Sequence, residues 1–256
     1  SPKGGAGASS LAGEVAHVIA ERFSQPTILL DLDIQFGSQY SNMDLHPDKG
    51  LKEALDEIES LDEMALKGYV SKHSSGLHVL GTLPQQLLLP GEISDKKLAQ
   101  LLNLLDRTYA QIIVDIPCVI DPIFGAIVEK MQRLVLVVQQ DFQNVRTGQK
   151  LVHILKDELQ VANENIGVVV NRYDPQGSIT VDDIERSLSA HTIGTIPSDF
   201  RAVNGAANLG VSVIKHFPDS SVVPEIKKLA SWVTGEQMPV EEKHSIFGRL
   251  FSNHGH

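Results

Sequence analysis

The chain has 256 residues, 42% hydrophobic and 21% charged, which is enough apolar content for one large core and the wrong balance for a disordered chain. Its formal net charge of −10 disfavours non-specific coating of DNA, because phosphate contacts are made by Lys and Arg. A single cysteine, Cys118, excludes an intrachain disulfide, and there is no run of 18 apolar residues to cross a membrane, so a cytoplasmic protein is expected.

The first ten residues, Ser1 to Ser10, read S-P-K-G-G-A-G-A-S-S. Glycines at 4, 5 and 7 suit neither a helix interior nor a stable strand, and they let backbone N–H groups curl around an anion. Leu11, Val15, Val18 and Ile19 follow at helical spacing, so a helix N-terminus points its dipole at the same anion. This is a phosphate cradle between a strand and a helix. A buried strand ahead of Ser1 is therefore expected, as part of a longer protein.

Pro26–Asp33 is an apolar run ending in acid, the pattern of a buried parallel strand whose carboxyl end faces a ligand crevice. Residues 50–58 and 61–70 are read as acidic amphipathic helices, 77–80 as a short strand and 81–92 as a loop. Within that loop, Leu87 to Leu89 read as local core. Leu98, Leu101, Leu102 and Leu105 fall on one face of a helix over 94–106. Residues 109–117 form an apolar strand carrying Asp115, where a carboxylate can hold the water shell of Mg²⁺. Further helices are expected over 121–131, 144–159, 201–210 and 221–233, and further strands over 133–139 and 166–172. Strands alternating with helices demand a mainly parallel sheet with helices on both faces, an α/β fold in one domain over residues 1–235.

The loop departs from the general phosphate-loop pattern G-x-x-x-x-G-K-[ST]: Pro2 stands at the first Gly and Ala8 at the Lys, while Gly7 and Ser9 fit. Lys3-Gly4-Gly5 resembles the deviant Walker A, K-G-G-x-G-K-[ST]-[ST], of the MinD/ParA family of dimerising ATPases. The form K-G-G-A-G-A-S-S is most similar to the CpaE/TadZ branch, associated with assembly and polar placement of Flp-type (tight-adherence) pili. The resemblance spans about residues 1–235 and implies a P-loop NTPase fold binding ATP or ADP with Mg²⁺. It implies a homodimer in which Lys3 reaches the partner's nucleotide, while Gly4, Gly5, Ala6, Gly7, Ala8, Ser9 and Ser10 cradle the phosphates. D-L-D-I-Q-F-G is similar to the family's first switch, which implies that Asp33 orients the attacking water and that Asp31 lies near the Mg²⁺ shell with Ser9 and Asp115. D-I-P resembles the second switch, with Cys118 a bystander. V-N-R-Y resembles the adenine-recognising segment, and I-P-S-D matches the loop over the base, which implies roles for Asn171, Arg172, Pro197 and Asp199. One cysteine per chain argues against the iron–sulfur relatives.

These matches imply an ATP-binding localisation or assembly protein of a pilus or secretion system. Loss of the lysine at Ala8 implies slow hydrolysis. A ParA-type DNA-partition ATPase and a nucleotide-binding scaffold without turnover are the alternatives. In the tail, residues 236–256, Ile246, Phe247, Leu250 and Phe251 share a helical face flanked by Lys243 and Arg249. This face would suit a membrane surface or a partner protein.

Overall fold

A computed structural model describes residue 2, residues 4–89 and residues 91–238. Lys3 and the tail helix expected around 243–251 lie outside the described residues. Helix α1, Ala8–Arg22, leaves the glycine loop and leads to strand β1, Thr27–Asp31. After short helices α2 (Gln39–Asn42), α3 (Leu51–Asp56) and α4 (Glu63–Leu66), the chain forms β2 (Ser71–Lys72) and β3 (His78–Leu80). Helix α5 (Asp95–Thr108), β4 (Gln111–Asp115), α6 (Pro122–Val128) and β5 (Leu134–Val138) follow. Then come α7 (Phe142–His153), β6 (Ile166–Tyr173), α8 (Val181–Leu188), β7 (His191–Pro197), α9 (Phe200–Leu209), α10 (Val213–His216) and α11 (Val222–Thr234).

The helix expected over 61–70 is confined to α4. The Asp62 carboxylate starts it by accepting from the Met64 and Ala65 N–H groups, and Gly68 closes it with a tight bond to Ala65 O at 2.9 Å. The helix expected to run to residue 159 instead widens into one π turn over Ile154–Glu158. The strands pair in parallel with one exception: β2 runs antiparallel to β3, across a turn in which Gly76 has φ 89°.

Alternation along each strand explains why both faces are covered. Ile28 and Leu30 pack with Leu98, Leu101 and Leu105 of α5, whereas Leu29 between them meets Ala16 and Ala20 of α1. Likewise Val168 and Val170 pack with Leu151 of α7 and Ile184 of α8, while Val169 faces Val18, Ile226 and Ala230. A strand buried on both faces must be apolar throughout, which is why these runs read as continuous rather than alternating.

The strands fall into two sheets, β2-β3-β1-β4 and β5-β6-β7. Among the described residues, β4 pairs only with β1 and β5 only with β6. Between the two unpaired edges runs a slot of about 270 Å³, lined by Ile112, Ile113 and Val114 on one side and Leu134 and Val135 on the other. Ala8, Leu11 and Val15 of α1 also line it. These edge residues are half-buried, whereas Ile28, Leu29 and Leu30 of β1 are completely so. The slot is thus apolar, strand-shaped and roofed by the helix that leaves the glycine loop.

Candidate functional site

In a parallel sheet the ligand crevice lies beyond the carboxyl ends of the strands. Here the ends of β1, β4, β5 and β6 all converge on the glycine loop. Gln139, just after β5, donates from Nε2 to Gly5 O at 3.2 Å. Asn171, near the end of β6, donates from Nδ2 to Ala6 O at 2.7 Å. Two loop carbonyls are thereby engaged by side-chain amides. Gly5 and Gly7 take the left-handed conformation, with φ 83° and 92°, and such alternation of the backbone forms a concave nest of N–H groups. Gly7 is required twice over, because a Cβ there would also stand 2.4 Å from Asn171 Nδ2. The first intrahelical bond of α1 is Leu11 N–H to Gly7 O at 3.0 Å, so the N–H groups of Ala8, Ser9 and Ser10 precede it. They add a helix N-terminus to the nest.

A carboxylate pair faces the start of α1. Asp31 and Asp115, only 3% and 6% exposed, are register partners on the adjacent strands β1 and β4. Asp31 accepts the N–H groups of Asp33 at 3.0 Å and Gln39 at 3.1 Å. Burial first, and the neighbouring Asp115 second, push its carboxyl up to about 6. Gly37 is small because a Cβ would stand 2.8 Å from Asp31 Oδ2. Asp33 lies just beyond, half-buried, its Oδ1 accepting the Phe36 N–H at 3.0 Å. A buried pair of carboxylates, all-oxygen donors, beside the start of α1 fits Mg²⁺. Among the described residues no cluster of three or more His, Cys, Asp or Glu could hold a metal.

A model of the CobQ/CobB/MinD/ParA nucleotide binding domain matches residues 1–210. The chain belongs to that family. The septum site-determining protein MinD of Synechocystis sp. is 25% identical over 265 residues, covering 99% of this chain and 85% of that protein. A ParA family ATPase from Chlorobium tepidum superposes with a TM-score of 0.82 at 24% identity, covering 90% and 95% of the two chains. MinD of Pyrococcus horikoshii, solved as its complex with Mg-ADP, superposes with a TM-score of 0.75 at 18% identity, covering 90% and 91%. The MinD/ParA P-loop fold is therefore that of this chain.

Beside the nest, a cavity of about 330 Å³ runs past Gly7, Asn171, Arg172, Pro197 and Phe200. A register shift between Asn171 and Tyr173, with Arg172 at φ 54°, turns Asn171 toward the loop. Arg172 and Pro197 line the cavity. Asp199 does too, although its carboxylate caps α9 at the Ala202 N–H (3.1 Å) and accepts from Ser220 Oγ (2.6 Å). Its side chain thus fixes the loop that lines the cavity. Ala8, Ser9 and Ser10 occupy the first turn of α1, and Ala8 packs against the apolar cluster beneath the loop. Cys118 is half-buried, and burial raises its thiol above the usual range.

Three neighbours of the site were not legible as motifs. Gln39 reaches the site from the first position of the short helix α2 and Gln139 from the residue after β5, places where glutamine has no characteristic spacing. Glu14 ties α1 to α10, accepting from Ser212 Oγ at 2.7 Å and the Val213 N–H at 2.8 Å. A charged residue on the helical face otherwise occupied by Leu11, Val15 and Val18 was the available signal for Glu14.

Proposed function

We propose that this chain binds ATP with Mg²⁺ and dimerises on it, and that it serves localisation or assembly of an Flp/Tad-type pilus or a related secretion system. The observation that carries the reading is the convergence of four strand ends on one glycine nest beside the Asp31–Asp115 pair. Gly4–Ser10 would hold the phosphates, Asn171, Arg172, Pro197 and Asp199 the base, and Ser9, Asp31 and Asp115 the metal side. When bound there, Mg²⁺ would supply positive charge to the phosphates. In hydrolysis, Asp33 would orient a water whose oxygen attacks the γ-phosphorus. The bond to the bridging oxygen breaks and ADP leaves. With Ala8 in place of a lysine, turnover would be slow.

A second copy is the partner best supported. Phe36 and Phe142, 79% and 71% exposed, follow β1 and β5, and the exposed Val119 and Ile120 follow β4. All four therefore lie on the crevice face around the loop. Large apolar groups this exposed at the ends of neighbouring elements support an interaction surface there. The pilus assignment rests on the likeness of K-G-G-A-G-A-S-S to the CpaE/TadZ branch. DNA partition of the ParA type is the second reading, supported by the Chlorobium likeness, and the net charge of −10 counts against it. Peripheral membrane contact through residues 243–251 belongs to the same proposal. Among the described residues no helix is long and apolar enough to cross a membrane.

Light scattering with ATP and Mg²⁺ tests the dimer. The native chain is expected to double in mass, and Lys3→Ala to remain mainly monomeric. Identical masses for the two variants would reject a role for Lys3 across the interface.

A further inference from the structure

Gln39, the first residue of α2, is 1% exposed and joins the three elements of the metal side. Its Nε2 donates to Asp115 Oδ2 at 2.7 Å and to Ser9 O at 2.9 Å, and its main-chain N–H donates to Asp31 Oδ2 at 3.1 Å. Both hydrogens of the amide are thus directed at oxygens. This fixes the amide's orientation, because the flipped form would set Oε1 against Asp115 and the Ser9 carbonyl. The other end of the amide goes unanswered: Oε1 is buried without a hydrogen-bond partner. Residue 13 of α1 is glycine where a Cβ would stand 2.9 Å from that oxygen. A buried amide that leaves its acceptor unsatisfied is unfavourable on stability grounds alone, so its place is set by the carboxylate it serves.

We infer that Gln39 is a positioning residue that stands in for the cation, its amide holding Asp115 against Ser9 until a divalent metal arrives with nucleotide and takes the carboxylate over. The inference rests on the reading of Ser9, Asp31 and Asp115 as the metal side of a nucleotide site. A partial positive charge aimed at one carboxylate offsets its repulsion with the other, which keeps the crevice formed without metal. The amide and the metal then compete for the same Oδ2. Removing the amide leaves the carboxylate pair uncompensated, so it must strengthen metal binding. A structural amide with no such role would leave metal affinity unchanged.

The test is direct binding of Mn²⁺ to the full chain in the presence of ADP, read by electron paramagnetic resonance. Gln39→Ala is expected to bind Mn²⁺ about tenfold more tightly than the native chain, since one charge-assisted hydrogen bond no longer competes. Equal or weaker binding would overturn the inference. Asp115→Asn separates the two levels of the argument. If it abolishes Mn²⁺ binding while Gln39→Ala changes nothing, the metal site stands and the role of Gln39 falls. If Asp115→Asn leaves Mn²⁺ binding intact, the metal side is misplaced and both fall. Should Gln39→Ala fail to fold, Gln39→Glu serves. A third carboxylate should lower its melting temperature without metal, and Mn²⁺ should restore it more than it raises the native chain's. Equal responses to Mn²⁺ in the two chains would overturn the inference as well.

Discussion

Ala8→Lys is expected to tighten ATP binding by about tenfold to a hundredfold and to raise the rate of hydrolysis. Ala8 opens α1 directly after the nest, the position at which the general phosphate loop places a lysine. A charge-assisted hydrogen bond from that lysine to phosphate contributes about 1.5–3 kcal/mol, and 1.4 kcal/mol is a factor of ten. In the native chain the phosphates would rely on the N–H groups of the nest, the α1 dipole and, once dimerised, Lys3. These groups bind the ground state but supply less charge to the transition state, which is where a second lysine would act. Unchanged affinity and turnover in Ala8→Lys would mean that the charge is already delivered from elsewhere, with Lys3 the first residue to examine.

The slot between β4 and β5 leads to a comparably large effect. Fusing a strand of about six β-branched residues ahead of Ser1 is expected to raise the melting temperature by roughly 5–10 °C. Each buried Val or Ile contributes about 1.5–3 kcal/mol and each ordered residue costs about 1–2 kcal/mol of backbone entropy. A few kcal/mol therefore remain, and each moves the midpoint by about 2–4 °C in a chain of this size. Such a strand would bond to both unpaired edges and make one continuous sheet. Amide exchange at Ile112–Val114 and Val135–Val137 should slow with it, and a Gly/Ser segment of equal length should have no effect. Equal exchange with both segments would show that the edges do not accept a strand.

The parts of the fold with a strong period were legible. The apolar runs read over 26–33, 109–117, 133–139 and 166–172 became parallel strands because both their faces are covered. The four-leucine face of 98–105 became α5 because that one face packs on the sheet while the opposite face stays exposed. What stayed hidden was decided locally or at a distance. Gly68 cut the expected helix over 61–70, and a two-residue β2 has no period to detect. Leu88 is buried but its neighbours Leu87 and Leu89 are more than half exposed, so the triplet was only one-third core. At the site, the order of the glycine loop, Asp31, Asp115 and Asn171 along the chain was enough to anticipate their convergence. Gln39 and Gln139 were invisible because a long-range amide contact leaves no mark in local sequence.

The central claim is that the nest over Gly4–Ser10 binds the phosphates of a magnesium nucleotide. Isothermal titration of ATP into the native chain and into Gly7→Val, with Mg²⁺ and with EDTA, tests it most directly. Residue 7 must adopt φ 92° and has Asn171 Nδ2 at 2.4 Å from any Cβ, so valine there opens the nest. One ATP per native chain is expected, bound more tightly with Mg²⁺ than with EDTA, with at least about a hundredfold loss in Gly7→Val. Saturable ATP binding of equal strength in both chains, or none in the native chain, would contradict the account.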